Sequence, residues 1–295
     1  RFIGCGSGPM LRMGAPHIPR EEINWVKSVL DTTDTNHPII FVNHFPQFEE
    51  IANSYELTNI LKGYNVQYIL CGHFHVNSTK EYNGLTSILG RSLLRRSDPM
   101  GGYNIVTVTP DSIFVAERTV KGTTHPVWFR GALTEVNRPK GEQMEISYAI
   151  NGQYPQVKEV WRVEETSDIA SQASIDGDFY VYTTTGGLTV ALNAKNGKKV
   201  WEYRTGNKIF SAPFICTKNV YISSTDGFIY ALNRQNGSLE WKYNTGYPVV
   251  ACPVVAGDTL YVGSSNEKFY ALDATSGKVI WVAEGFPGYM ESRPA

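Results

Sequence analysis

Three histidines carry the spacing best suited to chemistry. His44 closes the run Pro38-Ile39-Ile40-Phe41-Val42-Asn43, and His73 and His75 follow Val66-Gln67-Tyr68-Ile69-Leu70-Cys71-Gly72. Neutral imidazole is the commonest side-chain ligand for Zn, Fe, Mn or Ni. Gly72 would let backbone and metal approach closely, and in an extended segment His73 and His75 would point to the same side and reach two neighbouring metals. Solvent-facing or structural histidines are the plain alternative. Arg91, Arg95 and Arg96 come next along the chain. They would hold a phosphate through bidentate contacts, or they form a solvated charge run. Cys5, Cys71, Cys216 and Cys252 show no CxxC and no metal-finger spacing, so they read as buried small hydrophobes. His17, His37 and His125 lie next to or near prolines in expected loops and carry no site expectation.

The elements that must position these histidines can be read from periodicity. Pro19 followed by Glu21-Glu22 starts a helix, and Ile23, Val26 and Leu30 with Trp25 and Val29 make an amphipathic stripe through Asp31. A buried strand at residues 38–42, a helix through Leu57, Ile60 and Leu61 closed by Gly63, and a second buried strand at 66–71 complete a β-α-β unit. Parallel strands in such a unit present their C-terminal ends on one edge, where ligands of open α/β sheets bind. All three histidines fall on that edge. Residues 101–108 and 112–116 read as later strands of the same sandwich.

The helix with Asn24-Trp25, the strand from Ile39 to His44 with Phe45-Pro46, and Leu70-Cys71-Gly72-His73-Phe74-His75 resemble the C-terminal half of the calcineurin-like metallophosphoesterases. The resemblance implies an α/β sandwich in which His44 and His73 ligate one metal (Fe, Mn or Zn) and His75 the other. The two metals would polarise a phosphoryl group and activate a bridging hydroxide. The family pattern also needs an Asp-x-His, a Gly-Asp-x-x-Asp and an Asn-His-Asp/Glu, and none occurs in this sequence. The sandwich is therefore expected to be incomplete. This chain by itself is expected to bind no stable metal pair and to hydrolyse no phosphate ester.

From residue 157 the sequence changes character. Trp161, Trp201, Trp241 and Trp281 are spaced 40 residues apart, as are the Ala-Leu pairs at 191, 231 and 271 and the glycines at 197, 237 and 277. Short β-branched and aromatic runs with turn residues between them decide for four-stranded propeller blades over helical repeats. The segments Asp226-Gly227-Phe228-Ile229-Tyr230-Ala231-Leu232-Asn233 and Gly237-Ser238-Leu239-Glu240-Trp241 resemble the PQQ-type propeller repeat, as do their counterparts ending at Trp281. The four tryptophans are expected to pack blade against blade. Quinoprotein dehydrogenases of that family carry a pair of adjacent cysteines over the cofactor. The cysteines here are well separated, so no quinone cofactor is expected.

Composition sets the outer bounds. With 27 Lys+Arg against 28 Asp+Glu in 295 residues the formal charge is −1, which gives no signal for nucleic acid, and no apolar run is long enough to span a bilayer. The expected layout is a metallophosphoesterase-like part at 1–133, a polar linker at 134–156 and about three propeller blades at 157–295. Closed propellers take about four to eight blades, so three leave an open edge that a partner copy or further chain should cover. Two functions are expected to compete. One is a metal-dependent phosphoesterase acting on a phosphorylated substrate, with the propeller positioning substrate or partner. The other is a propeller scaffold for a protein or glycan, with a vestigial phosphoesterase half. The company these repeats keep suggests a periplasmic or secreted, bacterial protein.

Overall fold

The computed structural model describes residues 1–6, 17–46, 51–93, 101–133, 136 and 147–286. The chain divides into two units, Arg1–Ala149 and Ile150–Ala295. Strands dominate both: twenty strands and two α-helices are formed among the described residues. No helix among them is long and apolar enough to cross a membrane.

The first unit is built on a five-stranded sheet in the order β1 (Phe2–Gly4), β2 (Ile39–Val42), β3 (Val66–Cys71), β5 (Leu85–Leu89) and β4 (Ser78–Tyr82). The β1-β2, β2-β3 and β3-β5 pairs are parallel and the β4-β5 hairpin is antiparallel. Strand periodicity sorts β2 onto two faces. Ile39 and Phe41 meet Ile23, Val26 and Leu30 of α1 (Arg20–Asp31) and Leu57 and Leu61 of α2 (Ser54–Leu61) in one core. Ile40 faces the other way, in a second core with Ile113, Val115, Trp128 and Phe129. Those residues come from a three-stranded antiparallel sheet of β6 (Gly102–Val108), β7 (Ser112–Thr119) and β8 (Thr124–Ala132). Helix α1 starts where Pro19 and the acidic pair place it, with the Pro19 carbonyl accepting from the N–H groups of Glu22 and Ile23. Trp25, expected on the buried stripe, is on the exposed side instead; Ile23, Val26 and Leu30 suffice to fill the contact.

The second unit holds three four-stranded antiparallel sheets. The first comprises β9 (Ser174–Asp176), β10 (Phe179–Thr183), β11 (Leu188–Asn193) and β12 (Lys199–Arg204). The second comprises β13 (Phe214–Ile215), β14 (Asn219–Ser223), β15 (Phe228–Asn233) and β16 (Leu239–Asn244). The third comprises β17 (Val254–Ala256), β18 (Thr259–Gly263), β19 (Lys268–Asp273) and β20 (Val279–Glu284). In each sheet the repeat tryptophan stands opposite a repeat alanine: Ala191 with Trp201, Ala231 with Trp241, Ala271 with Trp281. A methyl group leaves the indole room to lie across its own sheet. The ladder shifts register directly after each alanine, at the point where a bulge bends a strand.

The blades are joined by those indoles. Trp161, Trp201 and Trp241 donate their Nε1–H to the carbonyls of Ala194, Arg234 and Ala274, each 33 residues ahead, at 2.8, 2.7 and 3.0 Å. The rings lie against the hairpin turns of the next repeat at Gly197, Gly237 and Gly277. A Cβ at Gly237 would sit 2.7 Å from the Trp201 ring, and these glycines also have φ of 67, 72 and 69°. Both the close approach and the left-handed backbone therefore require glycine there. Trp281 departs from the expected role. It is 43% exposed and stacks on Phe269 of its own sheet, with no following turn to receive it among the described residues. The linker expected at 134–156 falls mostly outside the described residues; its described end carries a short 3-10 helix, Ala149–Gln153.

Candidate functional site: the strand ends of the first unit

β1, β2 and β3 end side by side, with Gly4 paired to Val42 and Val42 to Leu70. The loops that follow are tied together, since the Gly72 N–H donates to the His44 carbonyl at 2.9 Å. A Cβ at Gly72 would lie 3.4 Å from His44 Nδ1, an ordinary contact, so the approach does not itself demand glycine. The rings of His44 and His73 come to 5.7 Å between centroids, with Phe45 4.2 Å from His73. The strand-end reading thus brings His44 and His73 together. Among the described residues the ring contacts of this cluster are those of His44, Phe45, His73 and Phe74.

The expected extended geometry of the His73-x-His75 segment does not form. Both residues have positive φ, 68 and 61°, and the Phe74 N–H donates back to the Gly72 carbonyl at 2.8 Å, closing a tight turn around His73. Such backbone costs about 1–3 kcal/mol per residue and is found mostly at sites whose function needs it. Among the described residues, no three His, Cys, Asp or Glu side chains gather closely enough to hold a metal ion. Three imidazoles without a carboxylate are a poor donor set for a metal pair.

Below these loops a cavity of about 540 Å³ opens between the two sheets, lined by Val42, Leu70, Ile88, Val106 and Val115 and by the polar groups of Asn43, His44 and Asn104. That volume is in the range of small-molecule sites. Asn43 is 5% exposed; its Nδ2 donates to the Phe45 carbonyl at 2.6 Å and its Oδ1 has no partner among the described residues. Sequence reading missed Asn43, although its place between a buried strand and His44 was the available signal. The site can therefore offer an imidazole pair and one buried acceptor to a donor group.

Cys5 and Cys71 also line the cavity. Burial pushes both thiols up to about 12 from an ordinary 9.0, with Glu22 adding to the shift at Cys5. Burial thus favours the protonated thiol at neutral pH, which disfavours nucleophilic attack by either one. Because their folded pKa is raised, their contribution to stability is complete below pH 9 and is lost as pH climbs from there toward 12. Ellman's reagent at pH 8 is expected to modify Cys216 and Cys252, which are half-buried, before Cys5 and Cys71. Immediate titration of all four thiols in the folded chain would contradict this placement.

Arg91 belongs to the interior. Its guanidinium is 1% exposed and paired with Glu117, whose second oxygen accepts from Asn77 Nδ2 at 2.7 Å. Asn77 Oδ1 in turn accepts from the Arg91 N–H at 3.0 Å and from Asn104 Nδ2 at 2.8 Å. This network fixes the chain just after His75 and replaces the phosphate clamp that the arginine run suggested. Arg95 and Arg96 lie outside the described residues.

Sheets of four antiparallel strands, repeated every 40 residues and locked indole to turn, are the units of a β-propeller. Residues 154–285 match the profile of the family described as outer membrane protein assembly factor BamB, and the repeats are of PQQ type. No curated protein matches the sequence. Among solved structures, BamB from Moraxella catarrhalis is 17% identical at a TM-score of 0.37, over 61% of this chain and 48% of that one. The quinohemoprotein alcohol dehydrogenase ADHIIG from Pseudomonas putida HK5 is 18% identical at 0.36, over 39% of this chain and 20% of that one. The chain thus spans about half the length of the BamB structure or less. These likenesses are too remote to carry an argument.

Proposed function

We propose that the repeat unit is a protein-binding propeller platform of an exported, periplasmic protein. The observation that supports this is the match of residues 154–285, across all three blades, to a family described as outer membrane protein assembly factor BamB. The blades are held by apolar packing and indole hydrogen bonds, which leaves the loops between them free for recognition. Tyr247, 58% exposed on the loop between the second and third sheets, is an aromatic anchor of the kind that dominates interfaces. Cross-linking mass spectrometry of the full chain in a bacterial envelope extract should give one recurrent protein linked near Tyr247. Tyr247→Ala should weaken that capture by about 2 kcal/mol, in the range of interface anchors. Retention of a glycan alone, or capture unaffected by the substitution, would count against the proposal.

A second reading is favoured by the tight turn at His73. In it, the first unit keeps the strand-end histidines of a metallophosphoesterase, whose remaining donors lie in sequence other than these 295 residues. His44, His73 and His75 would then be metal ligands for two divalent ions acting on a phosphorylated substrate. Because the donors present do not complete a site, the 295-residue chain is expected to carry no stoichiometric metal pair and to leave p-nitrophenyl phosphate intact. Two metals per chain, lost on His73→Ala, would overturn that expectation. No quinone role is proposed: Cys216 and Cys252 are free thiols in different repeats, not an adjacent pair.

A further inference from the structure

The core between the two sheets of the first unit is filled unevenly. Ile40 of β2 and Tyr68 of β3 pack there with Trp128 and Phe129. Two residues further along the same strand faces, Val42 and Leu70 line the cavity of about 540 Å³. Opposite them the three-stranded sheet offers only Val106 and Val115, and Gly4 and Gly90 add no side chain at all. Ile3 faces the helix core, so a side chain at Gly4 would point to the other face of β1, toward the cavity. An ideal Cβ at Gly4 would come no nearer to any neighbour than 4.0 Å, from the Val42 carbonyl. Val42 and Val106 remain 37 and 36% exposed, which leaves apolar surface for a ligand to bury.

The polar groups of the lining restrict what can enter. The Nδ2 of Asn43 is committed to the Phe45 carbonyl, which fixes the amide and makes its buried Oδ1 an acceptor with no partner among the described residues. Asn104 is engaged at both ends, donating to Asn77 Oδ1 at 2.8 Å and accepting from Trp128 Nε1 at 3.4 Å. The Cys5 and Cys71 thiols donate to the carbonyls of Gly6 and Ile88. No Lys, Arg, Asp or Glu stands among the described lining residues, and the Arg91 guanidinium is taken by Glu117. A buried acceptor left unpaired is costly, and the group that satisfies it must donate. A phosphate dianion would bring only charge and further acceptors. We propose that this cavity binds a small uncharged molecule with an apolar body and one N–H or O–H group, which donates to Asn43 Oδ1. The inference rests on the first unit alone and holds whether or not the repeat unit binds a protein.

Isothermal titration of the full 295-residue chain with indole should show saturable binding at one site. Benzofuran has the same shape but lacks the N–H, and should bind about tenfold more weakly, the worth of one neutral hydrogen bond. Phenyl phosphate should not compete with indole. Gly4→Leu puts a side chain into the cavity and should abolish indole binding without lowering thermal stability. Asn43→Leu removes the acceptor, so indole and benzofuran should then bind equally. Should that substitution unfold the first unit, the ratio of the two ligands on the unsubstituted chain and the Gly4→Leu result still decide. The proposal is overturned by the absence of saturable indole binding, or by benzofuran binding as tightly as indole to the unsubstituted chain. A preference for phenyl phosphate, or indole binding unchanged by Gly4→Leu, overturns it equally.

Discussion

Trp201→Ala is expected to lower the stability of the repeat unit by about 3–5 kcal/mol, the range for deleting a buried large aromatic. The ring is 6% exposed, fills the space between the first two sheets, and is the donor to the Arg234 carbonyl. Its loss opens a cavity and leaves a turn carbonyl without its partner at the same time. Trp281→Ala removes the same residue at the same place in the repeat, yet its ring meets no following turn among the described residues, so it should cost well under 1 kcal/mol. Chemical denaturation of the two variants under one set of conditions measures the contrast. Equal losses would show that the tryptophans act within their own sheets and not between them.

Arg91→Ala is expected to cost about 3–5 kcal/mol, because it strands the Glu117 carboxylate and part of the Asn77 network inside the sandwich. The double variant Arg91→Met with Glu117→Leu should recover most of that loss, since a buried ion pair can be replaced by apolar groups of similar volume. Thermal unfolding of the single and double variants separates this role from that of a surface phosphate clamp, whose removal would leave stability unchanged.

These two residues also mark the limits of what the sequence made legible. The 40-residue period exposed the propeller because it repeats turn glycines, small residues and indoles at once, and coincidence at three kinds of position is hard to produce by chance. The same pattern could not tell a buried indole from the exposed one at its end, since burial of Trp281 depends on a neighbour and not on its own residue type. In the first unit, buried apolar runs placed β2, β3 and α1. β4 escaped because the exposed Lys80 and Glu81 break its alternation, and β8 because Pro126 lies within it. Arg91 looked like surface because charge is usually solvated. Only the fold reveals Glu117, 26 residues later, as its partner. The histidine edge was legible from strand ends. The left-handed turn at His73 was not, because the sequence pattern suggested an extended segment.

The indole bonds displace the energetic unit from the sequence repeat. A blade's fourth strand is hydrogen-bonded into its own sheet, yet its tryptophan is anchored one repeat further on. The block that unfolds as one should therefore run from a tryptophan strand through the sheet that follows it. A fragment cut to begin at β9 would discard the indole that seats on Gly197, whereas one beginning near residue 157 keeps it. Where such a chain is divided should follow its hydrogen bonds and not its alignment.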